Sequence, residues 1–294
     1  MSCFTLGAAV GLAAMSVASV AQASEPPAPP SLQWNPEWPR FRTLEYVASG
    51  AFIALGLGSL FLEPTPGAWS RRNGFDEAFR DTFRLRSAGD RATTRAISDV
   101  LLFSTLSFPF LVDVVAVAGL GHGNTDVARQ LTFMNVETLA VSIGLHTFVS
   151  GLASRERPYG RSCGTEDSPP DGFCEGKRRY LSFYSGHATA VFTVAGLTCA
   201  HHQNLPLYGG GVADGFACGA VVAAAFATAT FRITSDEHHA SDILLGSGLG
   251  FLAGYGIPTF LHYNVPGSGK KSRTSMTLGG GPAPIGLSVM GTLD

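Results

Sequence analysis

The chain is short of charge. Only 14% of its 294 residues are Asp, Glu, Lys or Arg, and their near balance leaves a net charge of −2. No basic arm, zinc-ligand spacing or RNA-binding aromatic signature is present, which excludes the common nucleic-acid-binding modules. Apolar runs free of polar residues are also lacking, and the mean hydropathy is only +0.19. Lys and Arg are absent before the first apolar run, and cysteine is limited to five residues. Apolar side chains, by contrast, make up 45% of the sequence, and there are 36 glycines. Low charge with much glycine leans toward a helical membrane protein, and this length can bury a substantial core.

The apolar run Phe4 to Val20 leads into Ala21-Gln22-Ala23, a small-residue cleavage pattern, and then into polar, Pro-rich sequence. Residues 1–23 are therefore expected to be an N-terminal signal peptide, with an uncleaved anchor as the alternative. Residues 24–40 are expected to form a poorly ordered Pro-rich linker. Loss of the signal removes Cys3. Cys163 and Cys174 share a polar loop and are a candidate disulfide in an exported protein. Cys199 and Cys218 lie in apolar stretches, where pairing and buried free thiols are equal alternatives.

Six apolar stretches follow, running approximately Leu44–Leu62, Ile97–Leu120, Val127–Leu152, Gly186–Ala200, Gly209–Phe231 and Ser241–Tyr263. Most approach the ~20 residues of a spanning helix. The expected fold is all-α: a helical bundle of about six apolar helices over residues 41–265, spanning a lipid bilayer. A soluble bundle is the alternative. Asp99, Asp113, Asn135, Glu137 and His146 should then face the bundle interior. Gly246, Gly250 and Gly254 recur every four residues, a bare helix face suited to close backbone approach. Residues 266–294 form a tail in which Met276 to Leu293 reads as a β-hairpin-like pair of strands.

Three polar clusters border these stretches: Arg155-Glu156-Arg157-Pro158, then Ser185-Gly186-His187, then Arg232 with His238 and Asp242. Four-residue spacing makes His238 and Asp242 neighbours on a helix, so the carboxylate can fix the imidazole tautomer. The other ring nitrogen is then a nucleophile. Ser185 is a good N-cap, the amides after it point toward an anion, and Gly186 leaves room for that anion. His187 beside it can protonate a departing alkoxide. Arg157 and Arg232 can each make paired hydrogen bonds to phosphate oxygens. Taken singly, these clusters read as punctuation and caps. Together they form a phosphoryl-transfer kit that needs neither a metal nor a cofactor.

In this order and spacing the clusters resemble the type 2 phosphatidic acid phosphatase and vanadium haloperoxidase superfamily. Its signature is Lys-x6-Arg-Pro, Pro-Ser-Gly-His and Ser-Arg-x5-His-x3-Asp, and the likeness extends roughly from Val127 to Tyr263. The resemblance implies that Arg157 and Arg232 hold phosphate while Ser185 and Gly186 cradle it. It implies also that His187 is the general acid, His238 the nucleophile and Asp242 its partner. Three positions depart: Ser150 replaces the signature lysine, Tyr184 the proline and Phe231 the serine. The lost lysine removes a phosphate-binding charge, for which Arg155 or one of Lys177, Arg178 and Arg179 is the candidate substitute. The implied activity is metal-independent hydrolysis of a membrane lipid phosphate or diphosphate. A vanadate-dependent haloperoxidase and a catalytically impaired lipid-binding protein are the alternatives. The signal and the cysteines point to a bacterial-type inner membrane with the site facing the periplasm. The seven arginines of Glu63 to Ala96 and six Lys/Arg of Ala153 to Tyr184 point the other way by the positive-inside rule.

Overall fold

The computed structural model describes residues 31–264 except 70 and 170, and leaves out the side chain of Asp171. The signal peptide, the start of the linker and the hairpin-like tail lie outside the described residues. Within them the chain is helical, with one isolated β-bridge, between Trp69 and Arg155. The helices are α1 (Thr43–Ser59), α2 (Gly74–Phe83), α3 (Ala88–Phe108), α4 (Thr125–Ala153), the single-turn α5 (Asp171–Cys174), α6 (Gly186–Asn204), α7 (Val212–Thr234) and α8 (Ala240–Leu261). α3 continues as a π-helix over Pro109–Gly121. Pro109, which has no N–H to donate, marks the change of winding.

Six apolar helices were expected, and the outcome differs in two ways. α2 is an additional amphipathic helix, capped by the Asn73 side chain, that no apolar run announces. Secondly, among the described residues four helical stretches are long and apolar enough to cross a membrane: α3 with its π extension, α4, α7 and α8. Their outer faces expose Phe103, Leu111, Leu145, Phe216, Phe226, Leu252 and Phe260, an apolar surface of the kind that lipid covers. The structure thus supports a membrane protein. α1 is shorter, and α6 is less apolar because it is the central helix, buried along most of its length.

α6 and α8 run side by side in the same direction, and the glycine ridge is the cause. Gly246, Gly250 and Gly254 lie directly on the backbone carbonyls of Ser185, Thr189 and Thr193. A Cβ at Gly246 would stand 2.7 Å from the Ser185 carbonyl oxygen. The expected bare face is therefore used for backbone contact, and it brings the first turns of the two helices together at one end of the bundle.

The helices traverse the bundle alternately, so the loops segregate. Residues 60–87, 154–185 and 235–239 gather at one end. Residues 31–42, 122–124, 205–211 and 262–264 gather at the other. The linker expectation fails for its second half: Leu32 and Trp34 are buried against Leu205, Leu207 and Tyr263. Two tryptophans and a leucine supply enough apolar surface to offset the entropy of fixing a Pro-rich strand. Both cysteine pairs are disulfides, Cys163–Cys174 and Cys199–Cys218, which decides the second pair for bridging.

Candidate active site

All three clusters converge at the first of these two ends. Arg157 follows α4, whose last turn is closed by Ser154 in the left-handed region (φ +49°). The Ser154 hydroxyl holds that turn by accepting from the Thr65 amide at 3.0 Å. Ser185 caps α6, its hydroxyl accepting from the Ala188 amide at 3.3 Å, and His187 lies in the first turn. Arg232 projects from the last turn of α7 and His238 from the short link to α8. That link turns at Asp236, also left-handed (φ +63°). A residue other than glycine there needs support. The guanidinium groups of Arg80 and Arg84 supply it, holding the Asp236 carboxylate at 2.7 and 2.9 Å.

The geometry fixes the tautomer of His238. Its Nδ1 lies 2.9 Å from the Ser182 carbonyl oxygen, which can only accept, so Nδ1 carries the proton. Nε2 lies 3.1 Å from Arg157 Nη1, which can only donate, so Nε2 offers a lone pair. Burial first, then the charges of Arg157 and Arg232, push the imidazole well below its ordinary pKa of 6.5. Nε2 thus presents its lone pair on a neutral ring.

Asp242 stands differently from the sequence expectation. Its nearest oxygen is 3.8 Å from His238 Nδ1, beyond hydrogen-bond distance. Instead it accepts from the Ser182 hydroxyl at 2.6 Å, from the His239 amide at 3.0 Å and from Arg155. The reason is local: His238 precedes α8, so the two residues are not one turn apart on a helix, and Asp242 closes the capping box of α8. Asp242 orients Ser182, and Ser182 orients His238. Arg155 likewise makes no hydrogen bond to His238. It is buried between Asp242 and Asp76 of α2, with 2.6 Å to the latter, so it braces the loops and is not free to hold phosphate. Arg179 is engaged with Glu156.

His187 and Arg232 meet on Asp99 of α3. The carboxylate is 2.7 Å from His187 Nε2 and 3.3 Å from Arg232 Nη1. Gly186 is required for a reason beyond ligand access, because a Cβ there would stand 2.6 Å from the His146 ring. A cavity of about 210 Å³ opens onto His238, His187, Arg157 and Gly186, with Ser150 and Lys177 also in its wall. Ser150 is buried, and its hydroxyl has no partner among the described residues. Lys177 Nζ donates to the Leu60 carbonyl at 2.7 Å and remains half-exposed. Of the four candidate substitutes for the signature lysine, Lys177 is the one in this cavity.

Asp99, Ser182, Glu237 and Arg95 were not legible as site residues. Asp99 lies 88 residues before His187 and 133 before Arg232, Arg95 lies 142 before Glu237, and only the bundle joins them. A faint signal existed in Asp99, a carboxylate near the start of an apolar stretch.

Residues 133–266 match the family model for the PAP2 superfamily, a span that contains all three clusters. Among curated proteins and among solved structures, no significant match to the chain is found.

Proposed function

We propose, on the premise that residues 133–266 belong to the PAP2 superfamily, that this chain is a phosphatase acting on a phosphate or diphosphate ester carried by a membrane lipid. The observation that carries this reading is the His238 ring, with Nδ1 on the Ser182 carbonyl and Nε2 turned toward Arg157 and the cavity. Phosphate oxygens are held by Arg157, by Arg232 and by the amides that follow Ser185. Nε2 attacks phosphorus, a P–N bond forms, and the bond from phosphorus to the leaving oxygen breaks. His187, its ring held by Asp99, gives the leaving oxygen a proton. Water then transfers a proton to His187 and attacks phosphorus, releasing phosphate and restoring His238. The arginines neutralise the charge that develops on the equatorial oxygens, a role that elsewhere falls to metal ions. The lipid part of the substrate is supported by the apolar outer faces of α3, α4, α7 and α8 around the site.

The test is phosphate release from phosphatidic acid and from an isoprenyl diphosphate by purified protein in detergent with EDTA. Activity in the wild type that disappears in His238→Ala, together with an acid-labile phosphoenzyme in the wild type, is the expected result. Unchanged turnover by His238→Ala would refute the nucleophile, and dependence on added metal would refute the metal-free route.

We further propose that the site faces an oxidising compartment, the periplasm of an inner-membrane protein, because the Cys163–Cys174 bridge lies in its loops. Residues 31–42 lie at the opposite end of the bundle, so six traverses of a membrane would put them on the other side. A cleaved export signal at 1–23 and a periplasmic site then exclude one another. Reporter fusions at residue 31 and in the 163–174 loop distinguish the two arrangements.

A further inference from the structure

Glu237, the residue before the nucleophile, is fully buried and carries no part in the chemistry above. Its carboxylate is the meeting point of four guanidinium groups. Oε2 accepts from Arg157 Nη1 at 2.8 Å, from Arg232 Nη2 at 2.9 Å and from Arg178 Nη2 at 3.2 Å, and Oε1 accepts from Arg95 Nε. Arg157 and Arg232 are the two arginines assigned to phosphate. Arg157 Nη1, which lies on the nucleophilic nitrogen of His238, also lies on Glu237 Oε2.

A carboxylate and a phosphate compete for the same donors, since each presents paired oxygens to a guanidinium fork. The four arginines exceed what one carboxylate requires for neutralisation. Two of them, Arg95 from α3 and Arg178 from the loop after α5, have Glu237 as their hydrogen-bond partner and lie over the Phe173 ring. They offer the carboxylate a second resting place once Arg157 and Arg232 turn to a ligand.

We propose that Glu237 is a specificity-determining internal competitor, occupying the phosphate donors of the free site and withdrawing onto Arg95 and Arg178 when a phosphate ester binds. This rests on the phosphatase reading of the same site. The consequence is selective. Free phosphate must displace the carboxylate with only its own charge, whereas an ester adds contacts from its apolar part. Product is thereby released and substrate retained. No atom of Glu237 changes its bonding during turnover.

The experiment compares wild type, Glu237→Gln, Arg95→Gln and the double variant in detergent, measuring inhibition by orthophosphate and by vanadate. Glu237→Gln should lower Ki for both anions by about tenfold or more. Arg95→Gln should raise Ki in the wild-type background and have little effect with Gln at 237, a coupling that generalised destabilisation does not produce. An unchanged or higher Ki in folded Glu237→Gln overturns the proposal. If that variant does not fold in the absence of anions, orthophosphate should restore it by filling the vacated position; failure to restore it overturns the proposal as well. Failure of the phosphatase reading has another signature. Wild type would then show no hydrolysis across substrates, and if Glu237→Gln also bound neither anion, both ideas would fall together.

Discussion

The carbonyl oxygen of Ser182 lies 2.9 Å from His238 Nδ1, while the carboxylate of Asp242 reaches His238 only through the Ser182 residue that it holds. The group that orients the His238 ring is therefore a backbone atom. It is positioned by a short loop between the 3-10 turn Lys177–Tyr180 and α6.

This arrangement predicts unequal effects at the two positions. His238→Ala should abolish phosphohistidine formation. Asp242→Asn should slow it by a smaller factor, since the Ser182 carbonyl still fixes the tautomer. Asp242→Ala, which unpairs Arg155 from one of its two carboxylates, should destabilise the fold by about 3 kcal/mol or more. Single-turnover phosphoenzyme yield measures the first two effects, and denaturant unfolding in detergent the third. Equal loss of phosphoenzyme in Asp242→Asn and His238→Ala would argue for a direct Asp–His contact in the working enzyme.

Acid should be tolerated unusually well. In the proposed mechanism the neutral form of His238 attacks, and burial with the Arg157 and Arg232 charges holds its pKa well below 6.5. The sign follows: as pH falls through 6.5 the ring stays unprotonated, so the acid limb of kcat/KM lies below that value. Glu237 remains ionised over the same range. Burial alone would raise its pKa, but Arg157, Arg232, Arg178 and Arg95 outweigh burial and hold it at about 2. A pH profile of kcat/KM falling with a midpoint at or above 6.5 would contradict the assigned environment of His238.

Lys177 stands with Arg157 in the wall of the cavity where Ser150 occupies the lysine position. Lys177→Ala should raise KM for a phosphate ester several-fold and change kcat less. Adding Ser150→Lys to that variant should recover most of the loss, because the new amine would enter the same cavity from α4. If Lys177→Ala leaves KM unchanged, Ser150 acts without a substitute charge.

The glycine ridge gives a structural prediction with an internal control. Gly250→Ala forces a methyl into the Thr189 backbone and should cost about 1–3 kcal/mol. Gly248→Ala, two residues away on α8, meets nothing within 4 Å. It should be neutral or stabilising by up to about 1 kcal/mol through helix propensity. Thermal unfolding of both variants in one detergent decides. Equal destabilisation would show that the close approach of α6 and α8 is not the source.

Short-range chemistry was legible in the sequence. Apolar stretches with caps and glycine spacing marked most of the helices, and Ser185-Gly186-His187 could be read as a capped anion site, because these depend on residues within a turn or two of one another. Three things escaped that reading. α2 was missed because its apolar face is too short to register as a run, although its Asp76 pins Arg155 and the Ser241 amide. The Ser182 carbonyl on His238 Nδ1 has no sequence signal, because four-residue spacing has meaning only inside a helix and α8 begins after His238. The ion pairs of Asp99, Arg95 and Glu237 were invisible because they join helices far apart in the chain. The sequence by itself determined the apolar helices and their caps. Which arginine braces a loop and which converge on Glu237 was decided by the tertiary structure, since guanidinium groups are chemically identical until packing assigns each a carboxylate.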